Sequence, residues 1–219
     1  ATASFSQSAG NSGLSFLKFG FGARNIAMGD VGNVVSNDVT SLHYNPAKIG
    51  MLNSSHLFFM HNEWIQDVRS ENIGANFSLF GIPLAVGFNT TTVSDIEIRT
   101  RPGEADAKFN ANFFWGSLST GFEVVENIYF GTSLKYIYEG MLANEATGLG
   151  FDFGLVYNLP DEGVILAASV KNVGSMSELR NEATKLPSEL RAGAGYSMDL
   201  NNLKSTVTFG AEFQKYLPF

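Results

Sequence analysis

Gly148-Leu149-Gly150-Phe151-Asp152-Phe153-Gly154-Leu155-Val156-Tyr157 is the stretch that decides the fold. Leu149, Phe151, Phe153, Leu155 and Tyr157 take every second position, and Gly148, Gly150, Asp152 and Gly154 fill the gaps. A period of two is the side-chain period of a β-strand, so one face is wholly apolar and the other small and polar. A soluble sheet with one exposed face usually fills it with Lys, Glu and Thr. The interior of a membrane barrel tolerates glycine and serine and needs polarity only to face water.

From about residue 54 onward the same alternation recurs in segments of roughly ten residues. The apolar faces are Ile73, Ala75, Phe77, Leu79; then Ile82, Leu84, Val86, Phe88; then Ile128, Phe130, Leu134, Tyr136, Tyr138. They continue with Val164, Leu166, Ala168, Val170; Leu190, Ala192, Ala194, Tyr196, Met198; and Val207, Phe209, Ala211, Phe213. No ionisable acid or base falls on them. The opposite faces carry Asn72, Gly74, Asn76 and Ser78, and later Glu189, Arg191, Gly193, Gly195 and Ser197. The alternation also suits a soluble β-sandwich whose apolar faces pack on each other. Connection lengths favour the barrel, because they alternate short and long. Short turns are expected at Gly81, 122–127, Pro160–Gly163 and Asp199–Asn202, and long, charged loops at 64–71, 93–108, 140–147 and 174–187. The expected fold is therefore an all-β, antiparallel transmembrane β-barrel over 53–219, with short turns periplasmic and long loops outside.

Composition agrees. Charged residues make up 16% of the 219, against roughly 25% in an average soluble domain, while Phe alone contributes 19. No apolar run approaches the roughly 18 residues of a spanning helix, so any membrane must be crossed by strands. The formal charge of −7 and the lack of clustered Lys and Arg exclude nucleic acid as a partner. The absence of cysteine removes disulfides and thiolate metal sites and suits passage through an oxidising periplasm. Ala1-Thr2-Ala3-Ser4 has neither a basic nor an apolar signal region, which reads as a mature chain.

Residues 1–52 behave differently. They are rich in Gly, Ser and Asn, with Asp38 placed to cap a short helical turn through Leu42 and Pro46 disfavouring helix at Asn45. A plug or hatch in the barrel mouth is expected, with a flexible tail as the alternative.

Two motifs in this segment carry a family resemblance. Gly22-Ala23-Arg24-Asn25-Ile26-Ala27-Met28-Gly29-Asp30-Val31-Gly32 is followed by Asn37-Asp38-Val39-Thr40-Ser41-Leu42-His43-Tyr44-Asn45-Pro46-Ala47. Downstream come Gly-Thr-Ser-Leu-Lys-Tyr at 131–136, Asp-Phe-Gly-Leu-Val-Tyr at 152–157, Val-Lys-Asn-Val-Gly at 170–174 and Leu-Pro-Ser-Glu-Leu-Arg at 186–191. In this order they resemble the PorV/PorQ family of FadL-like outer-membrane proteins of Bacteroidetes. The resemblance implies a fourteen-stranded barrel with the N-terminal segment partly in the lumen, and a role in type IX secretion, binding exported cargo or the translocon. A FadL-like transporter of hydrophobic small molecules is the alternative, and a soluble adhesion sandwich a third. About nine strands are legible, so the barrel is expected to be incomplete. With a periplasmic amino terminus, strand 204–216 would run outward, and Pro218 beside Phe219 is a poor end to a paired strand.

No catalytic constellation is legible, and neither enzyme activity nor a cofactor is expected. His43 lies in the hatch, and His56 and His61, five apart on an expected strand, point to opposite faces. Gly20-Phe21-Gly22 and Gly148-Leu149-Gly150 lack the third glycine of a dinucleotide motif and read as packing glycines. Lys135, Asp152, Lys171, Glu189, Arg191 and Glu212 are candidate lumen-lining residues, either a ladder of opposite charges that satisfies the interior or a selectivity lining. Gly29, Asn45, Pro46 and Ala47 form a candidate structural hatch motif, with Pro46 fixing a bend. Trp64, Trp115, Tyr138 and Tyr157 are expected as interface anchors.

Overall fold

The computed structural model describes residues 13–65, 67–200 and 204–217. The leader reading at Ala1–Ser4, the end of the 199–202 turn and the Pro218-Phe219 terminus lie outside the described residues. The chain forms β1 (Leu57–Glu63), β2 (Val68–Leu79), β3 (Ile82–Ile98), β4 (Ala107–Val125), β5 (Ile128–Met141), β6 (Asn144–Leu159) and β7 (Val164–Met176). A hairpin of two two-residue strands, β8 (Glu178–Leu179) and β9 (Glu182–Ala183), precedes β10 (Glu189–Leu200) and β11 (Ser205–Tyr216). The nine long strands make one antiparallel sheet in the order β1-β2-β3-β4-β5-β6-β7-β10-β11. Sequence neighbours pair throughout, as the alternation predicts. The sheet is not closed: β1 and β11 are its two edges and, among the described residues, do not pair with each other.

The faces divide as their residue types dictate. Phe77, Phe88, Phe151, Phe153 and Phe209 point away from the rest of the chain and are between 39% and 59% exposed, and Phe130 is half-buried. These rings do not converge into a dry core between two sheets, as a sandwich would require. The hydrophobic core lies on the other, small-residue face, where Leu14, Phe16, Leu17, Phe21, Val39, Leu42, Tyr44 and Ile49 pack against Ala85, Trp115, Ile137 and Met176.

That core is supplied by residues 13–52, which contain a 3-10 turn at Ser15–Lys18, α1 (Ala23–Ala27), α2 (Gly32–Val35), α3 (Ser41–Tyr44) and a second 3-10 turn at Pro46–Met51. Such short helices have no stability of their own; the sheet holds them. The Thr40 amide donates to Asp38 Oδ1 at 2.8 Å just before α3, and Asn45 is extended ahead of Pro46, at φ −152°, as expected from the proline.

Several boundaries differ from the sequence reading. β2 begins four residues earlier than the apolar pattern, β3 runs on to Ile98, and the expected loop at 140–147 is a two-residue turn at Leu142-Ala143. Apolar alternation marks only part of a strand, and beyond it the ladder continues with polar side chains facing water. Leu142 has φ 56°, a left-handed turn position without the usual Gly or Asn, so nothing in the sequence flags it. The 93–108 region is largely a hairpin, with Ile96 opposite Phe109 and Ile98 opposite Ala107, projecting past β2 and β5.

The N-terminal segment runs along the sheet from one end to the other. Phe16 stacks on Phe113 and Phe19 on Trp64, each at 5.1 Å between ring centroids, and Lys18 Nζ lies 4.9 Å from the centre of the Tyr216 ring. These partners belong to the end of the sheet bearing the longer connections. Residues 46–50 instead press on Gly121 and Gly131 beside the β4–β5 turn. The segment thus enters at the long-connection end and crosses the small-residue face to the short-turn end, where β1 begins. Its first described residues are not on the short-turn side.

Candidate functional site

The features that distinguish this molecule chemically lie between residues 13–52 and the small-residue face. Asn45 is fully buried, and its side chain has partners in every direction. Nδ2 donates to Asn33 Oδ1 at 2.8 Å, and the Leu155 and Ala168 carbonyls lie at 3.3 and 3.2 Å. Oδ1 accepts the Ala47 amide at 3.0 Å. The segment is therefore bound directly to the backbones of β6 and β7.

Pro46 and Ala47 come so close to the wall that glycine is required there: a Cβ at Gly131 or Gly154 would overlap the Asn45–Ala47 backbone or the Asn45 side chain. This is the use of Gly131 on β5 and Gly154 on β6. Gly29, by contrast, has φ +84° and open space around it, so it serves a turn and not a contact. Gly154→Val is expected to displace the segment, at a cost of about 1–3 kcal/mol from overpacking. Limited proteolysis should then cleave within 20–50 while the strands stay protected; unchanged protection would contradict the close-approach account.

The six charged residues expected on the interior all lie there and pair across strands; five are buried and Glu212 is half-buried. Lys135 Nζ on β5 lies 2.7 Å from Asp152 Oδ2 on β6, and donates to Asn172 Oδ1 at 3.0 Å. Asn172 sits at a β-bulge with φ 56°, which lets its amide donate to Asp152 Oδ1 at 2.8 Å. Lys171 Nζ on β7 is 2.9 Å from Glu189 Oε1 on β10. Arg191 Nε is 3.3 Å from the same Glu189 oxygen, and Nη1 is 3.7 Å from Glu212 Oε2 on β11. Arg191 also reaches the N-terminal segment, with Nη2 3.0 Å from Asp30 Oδ2 and Nη1 donating to the Asp30 carbonyl at 2.8 Å.

Tyr44 completes the arrangement. Its hydroxyl donates to Asp30 Oδ1 at 2.6 Å and accepts the Phe21 amide at 2.8 Å, while Lys171 Nζ and the Arg191 guanidinium lie 5.7 and 5.4 Å from its ring centre. Burial, then the neighbouring Asp30 carboxylate, pushes the Tyr44 hydroxyl well above its ordinary range, so it is a fixed donor. Three strand cations thus meet four carboxylates, Asp30 included, in a region closed over by residues 13–52. Of the two readings of these charges, the geometry fits a satisfied structural ladder better than an open solute lining.

Asp30, Asn33, Tyr44 and Asn172 were not singled out as site residues by sequence. All four stand inside or beside the quoted motifs, but Arg191, the ion-pair partner of Asp30, is 161 positions away, which local pattern cannot supply. Trp115 is a correction: it is 2% exposed and packs 5.8 Å from Phe21 and from His43, so it is not an interface anchor. It occupies an inward position of β4, where its ring fills space beside the segment. Trp64 stays largely exposed against Phe19. His56 precedes β1, its amide donating to Asn76 Oδ1, and His61 meets Glu71 at 2.6 Å. Among the described residues no group of three or more His, Asp or Glu is arranged to hold a metal ion.

His43, in α3, is a pH-sensitive element of the segment. Burial, then the charges of Lys171, Lys135 and Arg191, holds its imidazole well below 6.5, so it is neutral when docked. The released segment binds a proton below about pH 6.5 that the docked one does not. Docking stability from this group is therefore complete above 6.5 and lost as pH falls from there toward the depressed value. Protease protection of residues 20–50 should decline between about pH 7 and 5, and His43→Gln should flatten that decline. An identical profile in the variant would assign it to other groups.

No helix is long and apolar enough to cross a membrane, which says nothing of crossing by strands. Comparison with family models, curated proteins and solved structures finds no match.

Proposed function

We propose that this chain is a non-enzymatic outer-membrane β-barrel protein of PorV/PorQ type, which meets lipid with its apolar face and engages type IX secretion machinery or exported cargo at its long-connection end. The observation that carries the reading is the pairing of two opposite faces. One is apolar, exposed and uncharged through the alternating stretches of the sheet; the other buries its charges under residues 13–52, which serve as the hatch. Water penalises the first face and hydrocarbon accommodates it. Free sheet edges would be costly in lipid, since each unpaired backbone group there costs several kcal/mol. Further strands, completing a barrel of about fourteen, or another chain would therefore pair with β1 and β11.

The partner reading is supported by the hairpin of β3 and β4 beyond Val93 and Ala111. It carries Asp95 paired with Lys108 at 3.1 Å, Glu97 paired with Arg99, and Thr100 donating to Asp106. These charges are exposed and belong to a projecting hairpin at the end where exported proteins would arrive. The test is fractionation followed by mild-detergent purification and identification of bound proteins. Recovery in the outer membrane with secretion components or secreted cargo, lost on deleting 96–107, is expected. Recovery as a soluble protein, or with partners unaffected by the deletion, would overturn the reading.

A further inference from the structure

Lys135, Lys171 and Arg191 each have a carboxylate at ion-pair distance. Lys48 is buried nearly as deeply, at 5% exposed, yet among the described residues no carboxylate lies at that distance from it. Its Nζ donates one hydrogen bond, to the Val34 carbonyl at 2.7 Å, although an ammonium has three N–H groups to satisfy. Arg24 resembles it: its guanidinium donates to the Val35 carbonyl at 3.1 Å and Asn37 Oδ1 at 3.2 Å, again with no carboxylate at ion-pair distance among the described residues.

Both cations line the same cavity of about 320 Å³, between the α1–α2 region and the short-turn end of β6, β7, β10 and β11. Val34, Val35, Met51 and Ile165 give it apolar walls, and Ser36, Ser197 and Thr208 contribute hydroxyls. We propose that this cavity is a binding site for a small organic oxyanion, its charged head between Lys48 and Arg24 and its apolar body against Val34, Val35, Met51 and Ile165.

A buried ammonium without a counter-charge is costly, and an anion in the cavity removes that cost. Burial pushes Lys48 down to about 7; Glu212 and Asp38 attract its charge and Arg24 repels it. The ammonium is therefore only partly compensated by the protein's own carboxylates. The volume matches the lower end of ordinary small-molecule sites. The mixture of two cations, hydroxyls and apolar wall selects for a head carrying charge on oxygen and a compact apolar stem. The proposal goes beyond secretion partners, and it does not depend on what covers the apolar face of the sheet.

Calorimetric titration of the full chain folded in detergent tests it, using benzoate and phenyl phosphate, with benzyl alcohol as the uncharged counterpart. At least one of the two oxyanions is expected to bind, and which one does identifies the head group; benzyl alcohol is expected not to. Lys48→Met should weaken binding by about tenfold or more and Arg24→Gln by about threefold or more. Lys48→Met removes a poorly compensated charge and is expected to fold; if it does not, Arg24→Gln, at a more exposed position, decides. Binding of neither oxyanion, equal binding of benzyl alcohol, or undiminished binding in the folded variants would overturn the proposal.

Discussion

Phe153→Arg is expected to abolish assembly into the membrane. Phe153 lies near the middle of β6 on the apolar face, 43% exposed, flanked on its own strand by Phe151 and Leu155. With that face in lipid, as proposed, arginine there would place a guanidinium in hydrocarbon, at a cost of about 2–4 kcal/mol near the bilayer midplane. That is a large part of the stability of a typical domain. The variant should fail to show the heat-modifiable migration of a folded barrel and should accumulate as unfolded or degraded protein. Phe153→Leu, which keeps the face apolar, should assemble normally. Normal insertion of the arginine variant would mean that this face does not meet lipid.

The second large effect is expected at Arg191. Its guanidinium touches Glu189, Glu212 and Asp30 at once, tying β10 to β11 and both to the N-terminal segment. Arg191→Met keeps bulk but leaves Glu212 and Asp30 without their cation. Breaking a buried pair from one side costs about 3–5 kcal/mol because the remaining charge is stranded. Lys171 still neutralises Glu189, so the loss should concentrate on docking of residues 13–52. Urea unfolding and protease protection of the segment should both show it. Arg191→Lys should recover only part, since one ammonium cannot reproduce the forked contacts to Asp30 and Glu189. Adding Asp30→Asn to Arg191→Met should cost less than the sum of the single changes. Strict additivity would mean that the two residues are not coupled.

The strands were legible because apolar face and small face alternate without interruption, as in Leu149–Tyr157, and strand order followed from turns such as Phe80-Gly81 and Pro160–Gly163. Strand ends were less legible. Past the apolar stretch, Glu97 and Arg99 read as loop chemistry although they belong to or follow an extended hairpin, and Leu142 turns the chain without a turn residue. The interior position of Lys135, Asp152, Lys171, Glu189, Arg191 and Glu212 followed from parity alone. Their pairing did not, because it depends on register and on the Asn172 bulge. Trp115 was misjudged because a large aromatic on an inward face has no local signature; what decides it is the segment packed above. The direction in which residues 13–52 cross the sheet was likewise invisible, since it rests on Phe16, Phe19 and Lys18 meeting residues 45 or more positions away.

The claim on which the rest depends is that the apolar face of the sheet meets hydrocarbon. The chain has no cysteine, so single cysteines can be placed without background at 149, 151, 153, 155 and 157 and spin-labelled after reconstitution into lipid vesicles. Collision rates with oxygen, which concentrates in hydrocarbon, and with a water-soluble nickel chelate then report each position's surroundings. The account predicts high oxygen and low nickel accessibility at 151, 153 and 155, with nickel accessibility rising toward a strand end. High nickel accessibility at all five positions, or failure of the folded protein to associate with vesicles, would contradict it.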